Sequence, residues 1–521
     1  MALACLCLAG SAPGAWQDDV GYTALKAELG PQTPDGTGMT VTQVEGDESG
    51  SSGLHKYVPD VTSSEFLGKT ITDVTGLGGA SIHATRVGNH IYGLTLSMAP
   101  GITLIDAYEN VGWWGDDFLR VQGSAPPRPE TRRIQNHSWI GNFVTNSANV
   151  DALRRLDLVV ERDGVVVCAG VNNYDPQVPS TRNMPRLMCS AYNCIAVGLA
   201  NGNASYGPTL VEVAGRCKPD LVAVATNQVT SYATGVVSSA AAVMLAAQEA
   251  GGALSELPAR RRRVAQALLT KALLMAGAVK PTGWRKGFAT PSTDGSVPLD
   301  YRYGAGTLNV AESYHILAAG RFPAAAAPAP AATSVGPATG WDYADLAAGQ
   351  TRYYFIEVPA GQVAARFSAM LVWNRKIAAP PDLDRDDDVD FDDLTLFQSC
   401  LTGPSVTPTP PGCEEVDFDG DGDGDQSDFG RFQVCLSGPG NPPAVACRGG
   451  LAPSLANLDL ALRAAPGLVP GALIESSVSV LDNVEHVYQL NLPAGTYALA
   501  VSANAPGSYA LAWNAALAAA P

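Results

Sequence analysis

The sequence has few basic residues, with 33 Lys and Arg against 50 Asp and Glu and a net charge of −17. A protein whose main partner is a nucleic acid or an anionic membrane needs a basic face, so this shortage argues against both partners. The acidity is also concentrated, because residues 382–428 contain 16 Asp and Glu and a single basic residue, Arg385. This segment supplies −15 of the −17 charges, and the rest of the chain is close to neutral.

Uninterrupted apolar runs of membrane-spanning length are also missing from the sequence. The stretch 233–247 is interrupted by Thr234, Ser238 and Ser239. A shorter apolar run at residues 2–9 precedes small residues typical of a signal-peptidase site, although no basic segment comes before it. We interpret residues 1–15 as a signal peptide, with a frayed apolar terminus as the alternative. The expected protein is secreted or extracellular, with attachment to a cell surface possible, and has no membrane span.

Ten cysteines are present, and four of them lie near the acidic segment in two evenly spaced pairs. The spacing of Cys400 with Cys413 and of Cys435 with Cys447 suggests two local disulfides in an oxidising compartment, although sequence alone does not fix the pairing. Four further cysteines are interpreted as buried thiols or another bridge, because their spacing is not that of a metal site: Cys168, Cys189, Cys194 and Cys217.

With 521 residues, the chain is long enough for a large domain and smaller modules. Short β-branched runs alternate with helical stretches up to about residue 319, which predicts an α/β fold with a parallel sheet and flanking helices. Residues 321–340 are rich in Pro and Ala and are interpreted as a linker. Alternating patterns at 341–379 and 448–521 predict a C-terminal antiparallel β-sandwich. The acidic segment, at 380–447, interrupts that sandwich.

Four segments of the α/β region carry the residue types that nucleophilic catalysis requires. In MTVTQVEGD a strand ends on Glu45, and SIHATRVGN places His83 next to residues that open a helix. In VVVCAGVNN a buried strand leads to Asn172 and Asn173, whose amides are possible oxyanion donors or plain turn residues. In VTSYATGVVSSAAAVML, Ser231 begins a long helix, where free N–H groups favour developing negative charge.

The order of these segments, and the text around each, resembles the subtilase family of serine proteases. SIHATRVGN is similar to the family's HGTHVAG, VVVCAGVNN to its AAGN and VTSYATGVV to its GTSMATPHV. The resemblance covers residues 35–319 and implies a subtilisin-like fold. It implies Ser231 as nucleophile, His83 as general base, Glu45 as the acid that orients it, and Asn172 as oxyanion donor. Asn173 remains the alternative donor.

NHSWIG, at residues 136–141, resembles the strand with which subtilases pair the backbone of a protein or peptide substrate. The resemblance therefore implies Ser138, Trp139 and Gly141 as substrate-binding residues. CKPDLVAV resembles the strand that precedes the serine in the family, and YGAGTLNVAES resembles its closing helix. Six motifs in the family's order make a chance match an unlikely explanation, although no single motif decides the matter.

Departures from the family pattern leave two functions open. Glu45 stands where subtilases carry Asp, and Asp47 is the alternative orienting acid. Arg86 replaces a His, Val229 replaces the Gly before Thr-Ser, and Gly235 replaces a helix Pro. The favoured prediction is a secreted endopeptidase that works through an acyl-enzyme, and the alternative is an inactive subtilase fold that serves binding or surface assembly.

Two acidic segments, DLDRDDDVDFDD and DFDGDGDGDQSD, place Asp at positions 1, 3, 5, 9 and 12 of a twelve-residue loop. Such a loop supplies the oxygen ligands that calcium requires. The repeat and the terminal Asp resemble a type I dockerin, which implies calcium as cofactor and either a cohesin-like partner or a structural tether. The predicted ligands are Asp382, Asp384, Asp386, Asp390 and Asp393 in the first copy and Asp417, Asp419, Asp421, Asp425 and Asp428 in the second. An acidic disordered linker is the alternative.

The strands around this insertion, AMLVWNRK before it and NLDLALRAAP after it, resemble a β-sandwich appended to some subtilases. A dockerin-like module would then be anchored at both of its ends in a sandwich loop. A third and weaker hypothesis is that the sandwich binds carbohydrate or cell wall, although no aromatic platform in the sequence demands it.

Overall fold

The structure, a computed structural model, describes most of the chain from Ala15 onward. The described residues are 15–49, 55–76, 78–123, 125–287, 295–325, 334–377, 381–384, 388–406, 409–410, 413, 416–418, 422–441, 443, 447 and 453–520. The predicted signal peptide at residues 1–15 therefore lies outside them except for its last residue.

A seven-stranded parallel sheet, in the order β3-β5-β1-β6-β7-β8-β9, forms the centre of the N-terminal region. Its strands are β1 (Thr40–Glu45), β3 (Thr70–Asp73), β5 (Leu104–Glu109), β6 (Ile134–His137), β7 (Val166–Gly170), β8 (Ile195–Leu199) and β9 (Leu221–Ala223), and β2 (His55–Pro59) pairs separately with β4 (Gly78–Ser81). All residues of β7, β8 and β9 are buried, as expected for parallel strands covered on both faces.

Eight helices accompany this sheet in the described part of the region. They are α1 (Ala15–Asp19), α2 (Tyr22–Leu29), α3 (Ile82–Tyr92), α4 (Asn110–Trp114), α5 (Asn146–Asp163), α6 (Thr230–Ala250), α7 (Ala259–Ala276) and α8 (Val310–Ala318). Helix α6 is long and apolar enough to cross a membrane, and 89% of that stretch is buried inside the protein. Its composition is thus that of a central core helix.

Small residues let α6 pack closely against its neighbours. A Cβ added at Gly170, at the end of β7, would lie 2.7 Å from Oγ1 of Thr234 on α6. A Cβ at Gly235 would lie 3.0 Å from Cβ of His90 on α3. A glycine at position 235 therefore gives the C-terminal half of α3 the space to pack against the N-terminal part of α6.

Two four-stranded antiparallel sheets follow, in the orders β10-β19-β12-β17 and β11-β18-β15-β16. Their strands are β10 (Gly340–Leu346), β11 (Thr351–Val358), β12 (Gln362–Trp373), β15 (Leu458–Ala464), β16 (Leu473–Ser477), β17 (Val484–Leu492), β18 (Gly495–Ala503) and β19 (Gly507–Ala519). Tyr354, Phe367, Leu460 and Trp513 share one buried core between the sheets, so the sheets form a sandwich. The predicted fold class, a subtilisin-like α/β sheet with a C-terminal antiparallel sandwich, is confirmed.

The described parts of the predicted linker at 321–340 are bonded to the sandwich and do not form an independent spacer. The N–H of Phe322 donates to the carbonyl of Trp341, and the N–H of Ala325 donates to that of Tyr353. Phe322 also packs against the sandwich core, and β10 already begins at Gly340. The packing of this segment on the sandwich could not be predicted from its Pro/Ala-rich composition, because its few apolar side chains do not alternate with polar ones.

Between the two halves of the sandwich lie two short helices, α9 (Phe391–Ser399) and α10 (Gln426–Cys435). The chain leaves the sandwich at β13 (Lys376–Ile377) and returns at β14 (Pro453–Ser454), and these strands pair antiparallel. Disulfides join Cys400 to Cys413 and Cys435 to Cys447, as the spacing suggested. The other four described cysteines are free and buried.

A buried ion-pair network joins the sandwich to the α/β domain. The Nε of Arg375, two residues after the end of β12, lies 2.8 Å from Oδ2 of Asp157 on α5. Its Nη1 lies 2.7 Å from Oε2 of Glu212. The side chains of Arg375, Asp157 and Glu212 are at most 6% exposed. The backbone N–H and carbonyl of Arg375 also bond to the side chain of Asn193, which satisfies these groups away from water.

Replacing Arg375 with Ala should destabilise the protein by about 3–5 kcal/mol, because the fully buried carboxylate of Asp157 would lose its cation, whereas Glu212 would keep its ion pair with Arg154. The free energy of unfolding from a denaturant titration measures this effect. Arg463→Ala, which removes a half-buried side chain whose bond to the Gly471 carbonyl is exposed to solvent, is the control and should change stability by less than about 0.5 kcal/mol. Equal stability of the two variants would contradict the role given to the network.

Candidate active site

Glu45, the last residue of β1, is fully buried and points at His83. Its Oε2 lies 2.8 Å from Nδ1 of His83. Its Oε1 accepts a hydrogen bond of 2.8 Å from Nε2 of Gln43, two residues earlier on the same strand. Both carboxylate oxygens therefore have partners, and the side chain is held in one orientation. The prediction that Glu45 lies next to His83 agrees with this geometry.

Sequence reasoning missed Gln43 as a residue that positions this acid. Alternate residues of a strand lie on the same face, so Gln43 and Glu45 share one side of β1. Nε2 of Gln43 also donates to the carbonyl of Ala84 on α3, at 2.9 Å. The two-residue period of a strand could have identified Gln43 from the sequence, because it places the side chain two residues before Glu45 on the same face as the acid.

His83 is the second residue of α3, and Ser81 caps the helix by accepting from the N–H of Ala84 at 2.9 Å. Oε2 of Glu48 accepts from the Ser81 hydroxyl at 2.6 Å and from the N–H of His83 at 3.1 Å. Glu48 thereby holds the start of α3 and the backbone of His83 in place. Because Nδ1 faces Glu45, Nε2 is the nitrogen left to act as a base.

The pKa of His83 is raised above its ordinary value of 6.5. Burial alone lowers it, but the hydrogen bond and charge of Glu45, with a contribution from the charge of Glu48, outweigh that effect. The raised pKa indicates that the site stabilises an imidazolium, which is the state that a general base reaches after taking a proton.

Ser231 is the second residue of α6, where backbone N–H groups have no partner within the helix. Its hydroxyl donates to the carbonyl of Ser138 at 3.3 Å, and the Ser138 hydroxyl donates to the carbonyl of Ser231 at 3.0 Å. Among the described residues no hydrogen bond joins Ser231 to His83. The nucleophile candidate is 9% exposed and is held at the end of β6.

Helix α3 and helix α6 meet at their N-terminal ends and bring His83 and Ser231 into one region. The ring of Tyr232, next to Ser231, lies 6.3 Å from the ring of His83. It stacks on His90, about two turns further along α3, with a centroid distance of 5.0 Å. The two candidate catalytic residues thus occupy equivalent positions at neighbouring helix starts.

The two candidate oxyanion donors follow β7 and differ in their contacts. Oδ1 of Asn173 accepts from the N–H of Thr230 at 2.9 Å and from its hydroxyl at 3.0 Å, one residue before Ser231. The carbonyl of Asn172 accepts from the N–H of Ser205 at 2.8 Å. The side-chain amide of Asn173 therefore lies at the start of α6, a contact that the sequence did not indicate.

The predicted substrate-binding residues continue from β6 along the edge of the site. Trp139 is buried and contacts Trp113 and Trp114 edge-on, with ring centroids 6.4 and 5.5 Å apart. The carbonyl of Gly141 accepts from the N–H of Leu187 at 3.3 Å. A Cβ on Gly141 would lie 3.2 Å from the Trp139 ring, so the chain passes close to this aromatic cluster.

Asp47, the alternative orienting acid, lies elsewhere. Its Oδ2 is 3.6 Å from Nδ1 of His55, and its Oδ1 accepts from the N–H groups of Ser49 and Lys56 at 2.8 Å each. In the described structure the acid in contact with the His83 ring is Glu45.

The acidic segments form three clusters of converging carboxylates. These are Asp382, Asp384 and Asp393, then Asp388, Asp390 and Asp393, and finally Asp423, Asp425 and Asp428. Asp417 accepts a bond of 2.9 Å from the N–H of Gly422. The remaining predicted ligands, Asp386, Asp419 and Asp421, lie outside the described residues.

Asp388 and Asp423, at position 7 of each loop, were missed as candidate ligands because a calcium loop uses the backbone carbonyl there. They belong to the clusters because each loop turns inward at that position. Each loop is bonded to the segment that follows the helix of the other loop: the N–H of Thr402, after α9, donates to the carbonyl of Gly424, and the N–H of Ser437, after α10, donates to that of Val389.

Residues 74–306 match the family model described as the subtilase family, a range that includes His83 and Ser231 but begins after Glu45. No curated protein matches the chain. Among solved structures, the prenylagaramide maturation protease PagA is 18% identical, over 53% of this chain and 93% of that one, with a TM-score of 0.35. A serine protease of Aeromonas sobria is 12% identical, over 92% and 89%, with a TM-score of 0.35. MycP1 from Mycobacterium smegmatis is 14% identical, over 63% and 90%, with a TM-score of 0.34. These values are too low for an argument about this chain.

Replacing Glu45 with Gln should lower the pKa of His83, because the effect of burial would then be opposed only by the charge of Glu48. Titration of the imidazole by NMR measures this fall in the pKa. Asp47→Asn is the matched control and should leave the His83 titration where it is. A response to Asp47→Asn but not to Glu45→Gln would make Asp47 the orienting acid.

Proposed function

We propose that this protein is a secreted serine endopeptidase with a Ser231–His83–Glu45 triad. The observation that carries the proposal is the 2.8 Å contact of buried Glu45 with Nδ1 of His83, at a helix start that packs beside the helix start bearing Ser231. The match of residues 74–306 to the subtilase family supports the same reaction class.

In the proposed reaction, Nε2 of His83 takes the hydroxyl proton as Oγ of Ser231 attacks the scissile carbonyl. Glu45 stabilises the resulting imidazolium without taking its proton. His83 then gives the proton to the leaving amine, and water hydrolyses the acyl-enzyme by the same steps in reverse order. Before the attack, the Ser231 hydroxyl must leave the Ser138 carbonyl and turn towards His83.

The negative oxygen of the tetrahedral intermediate requires preorganised donors. The N–H of Ser231 is one donor, since it is free of the helical ladder. Asn172 is the predicted side-chain donor. The contact of Asn173 with Thr230 makes Asn173 the stronger alternative, because its amide already lies at the start of α6. An extended substrate would pair with the segment from Ser138 to Gly141 as an added strand.

The cysteines support export of the protein. Each disulfide closes a loop over a sequence separation of 13 or 12 residues next to an acidic segment, and such bonds persist in oxidising compartments. The acidic segments are proposed to form a dockerin-like module that binds calcium. The converging carboxylates fit calcium because they offer hard oxygen ligands, and neutralising them would relieve their mutual repulsion. The module would serve as a tether or bind a cohesin-like partner.

The second candidate function is that of an inactive subtilase fold used for binding or assembly. It is favoured by the hydroxyl of Ser231, which bonds to Ser138 rather than to His83, and by Val229 in place of the family's Gly. In that case Glu45 and His83 would remain as a buried structural pair.

A fluorophosphonate probe should label the purified wild-type protein, because it reacts with an activated serine. Ser231→Ala should abolish labelling and lower peptide hydrolysis by about 10⁴-fold or more. Ser239→Ala, a buried serine of the same helix bonded to the Val236 carbonyl, is the matched control and should be labelled normally. A folded wild-type protein that takes up no probe would favour the inactive alternative.

Calcium should raise the melting temperature, and titration calorimetry should count about two bound ions. At 100 times the dissociation constant, each site contributes about 2.7 kcal/mol of stability, which a chelator removes. Asp428→Ala should eliminate one ion, whereas Asp392→Ala, at an exposed position outside the predicted ligand set, should eliminate none. An unchanged melting curve with chelator, and no bound calcium, would count against the module.

A further inference from the structure

A second group of histidine and carboxylate side chains lies beside the triad and is not used by the proposed reaction. Asp47 follows β1, His55 is the first residue of β2, and Glu109 is the last residue of β5. One ligand atom from each lies within 4.8 Å of the others, although the residues come from three separate segments. Nδ1 of His55 lies 2.9 Å from Oε1 of Glu109 and 3.6 Å from Oδ2 of Asp47.

We propose that Asp47, His55 and Glu109 bind a divalent transition-metal ion of the zinc type. Bond lengths of 2.0–2.2 Å place the ligands of tetrahedral zinc about 3.3–3.5 Å apart. The His55–Asp47 distance already has this size, and the His55–Glu109 distance needs to open by only about half an ångström. One imidazole with two carboxylates also favours zinc over calcium, which takes oxygen ligands.

Charge in this region supports a cation. In the described structure neither Asp47 nor Glu109 forms an ion pair with a Lys or Arg. Glu109 stands in register with Glu45 on the adjacent strand, and strands in a sheet are about 4.8 Å apart. Several carboxylates therefore collect at one sheet edge. A doubly charged ion would offset their repulsion.

The ligands are also oriented by contacts outside the group. The Asp47 carboxylate accepts from the N–H and hydroxyl of Ser49 and from the N–H of Lys56, and the N–H of Glu109 donates to Oγ1 of Thr75. Such outer contacts hold ligands in place before an ion arrives. Glu109 is 9% exposed and His55 is 45% exposed, which leaves one side open for ion entry and for water as a fourth ligand.

Binding of zinc alone to the full-length protein tests the proposal. Ser231→Ala serves as background to prevent self-cleavage, and excess calcium occupies the acidic segments. Zinc titration by calorimetry, and the visible spectrum of cobalt as a zinc substitute, should show one tight site. His55→Ala and the isosteric Glu109→Gln should each weaken binding by at least about tenfold. Zinc should also raise the melting temperature in the background protein but not in these variants.

Variants of two other histidines distinguish zinc binding at this site from zinc binding elsewhere on the protein. His315→Ala is the matched control, since His315 is exposed and pairs with the single carboxylate of Glu28, and it should bind zinc normally. His83→Ala should also bind normally, which separates the site from the triad whatever the protein's activity. Loss of binding in His83→Ala with retention in His55→Ala would assign the ion to the triad and overturn the proposal. Equal binding in all variants, or none in the background protein, would overturn it as well.

Discussion

The rest of the structure depends on how Arg375 is buried between two carboxylates of the α/β domain. A guanidinium removed from water is costly unless charge and hydrogen bonds replace the lost hydration. Asp157 and Glu212 provide the charge, and Asn193 provides bonds to the backbone on either side. Because Arg375 lies only two residues after the end of β12, this pairing sets the position of the sandwich on α5. It also fixes where the acidic insertion leaves the fold.

The glutamate of the site is accommodated by the strand that carries it. A side chain one methylene longer than aspartate has an additional torsion, and the freedom of that torsion must be removed if the imidazole is to be held. Full burial, and the bond from Gln43 to the second oxygen, remove it. Gln43 also reaches α3, so strand and helix are joined through one amide. The acid and the base are thus fixed by the same contact.

Much of the fold follows from local sequence. β1 ends on Glu45 and β7 ends two residues before Asn172, as predicted, and β7 was visible because a strand buried on both faces is a continuous apolar run. The positions of Glu45, His83 and Ser231 at element ends were equally predictable, since strand ends and helix starts are visible as breaks in the pattern. Asp388 and Asp423 were not predictable, because their inward orientation depends on how two distant loops meet.

The contacts of His55 and of the Ser231 hydroxyl also could not be predicted from the sequence. His55 meets Glu109 across 54 residues of sequence, and the hydroxyl orientation is one torsion among three. Neither contact produces a periodic pattern of residue types in the sequence. The Pro/Ala-rich segment shows the reverse problem, since its composition indicated a spacer, but its backbone bonds to strands that come later in the chain.

The antiparallel pairing of β13 with β14 has a mechanical consequence. The acidic insertion is connected to the fold through two neighbouring strands and not through a chain terminus. A force applied to a tethered module would therefore act on both strands together. Arg375 is the residue directly before β13, and the force would pass through its ion pairs into α5. The long Pro/Ala-rich segment lies off this route. The α/β domain would therefore be held at a fixed distance and orientation from whatever anchors the module.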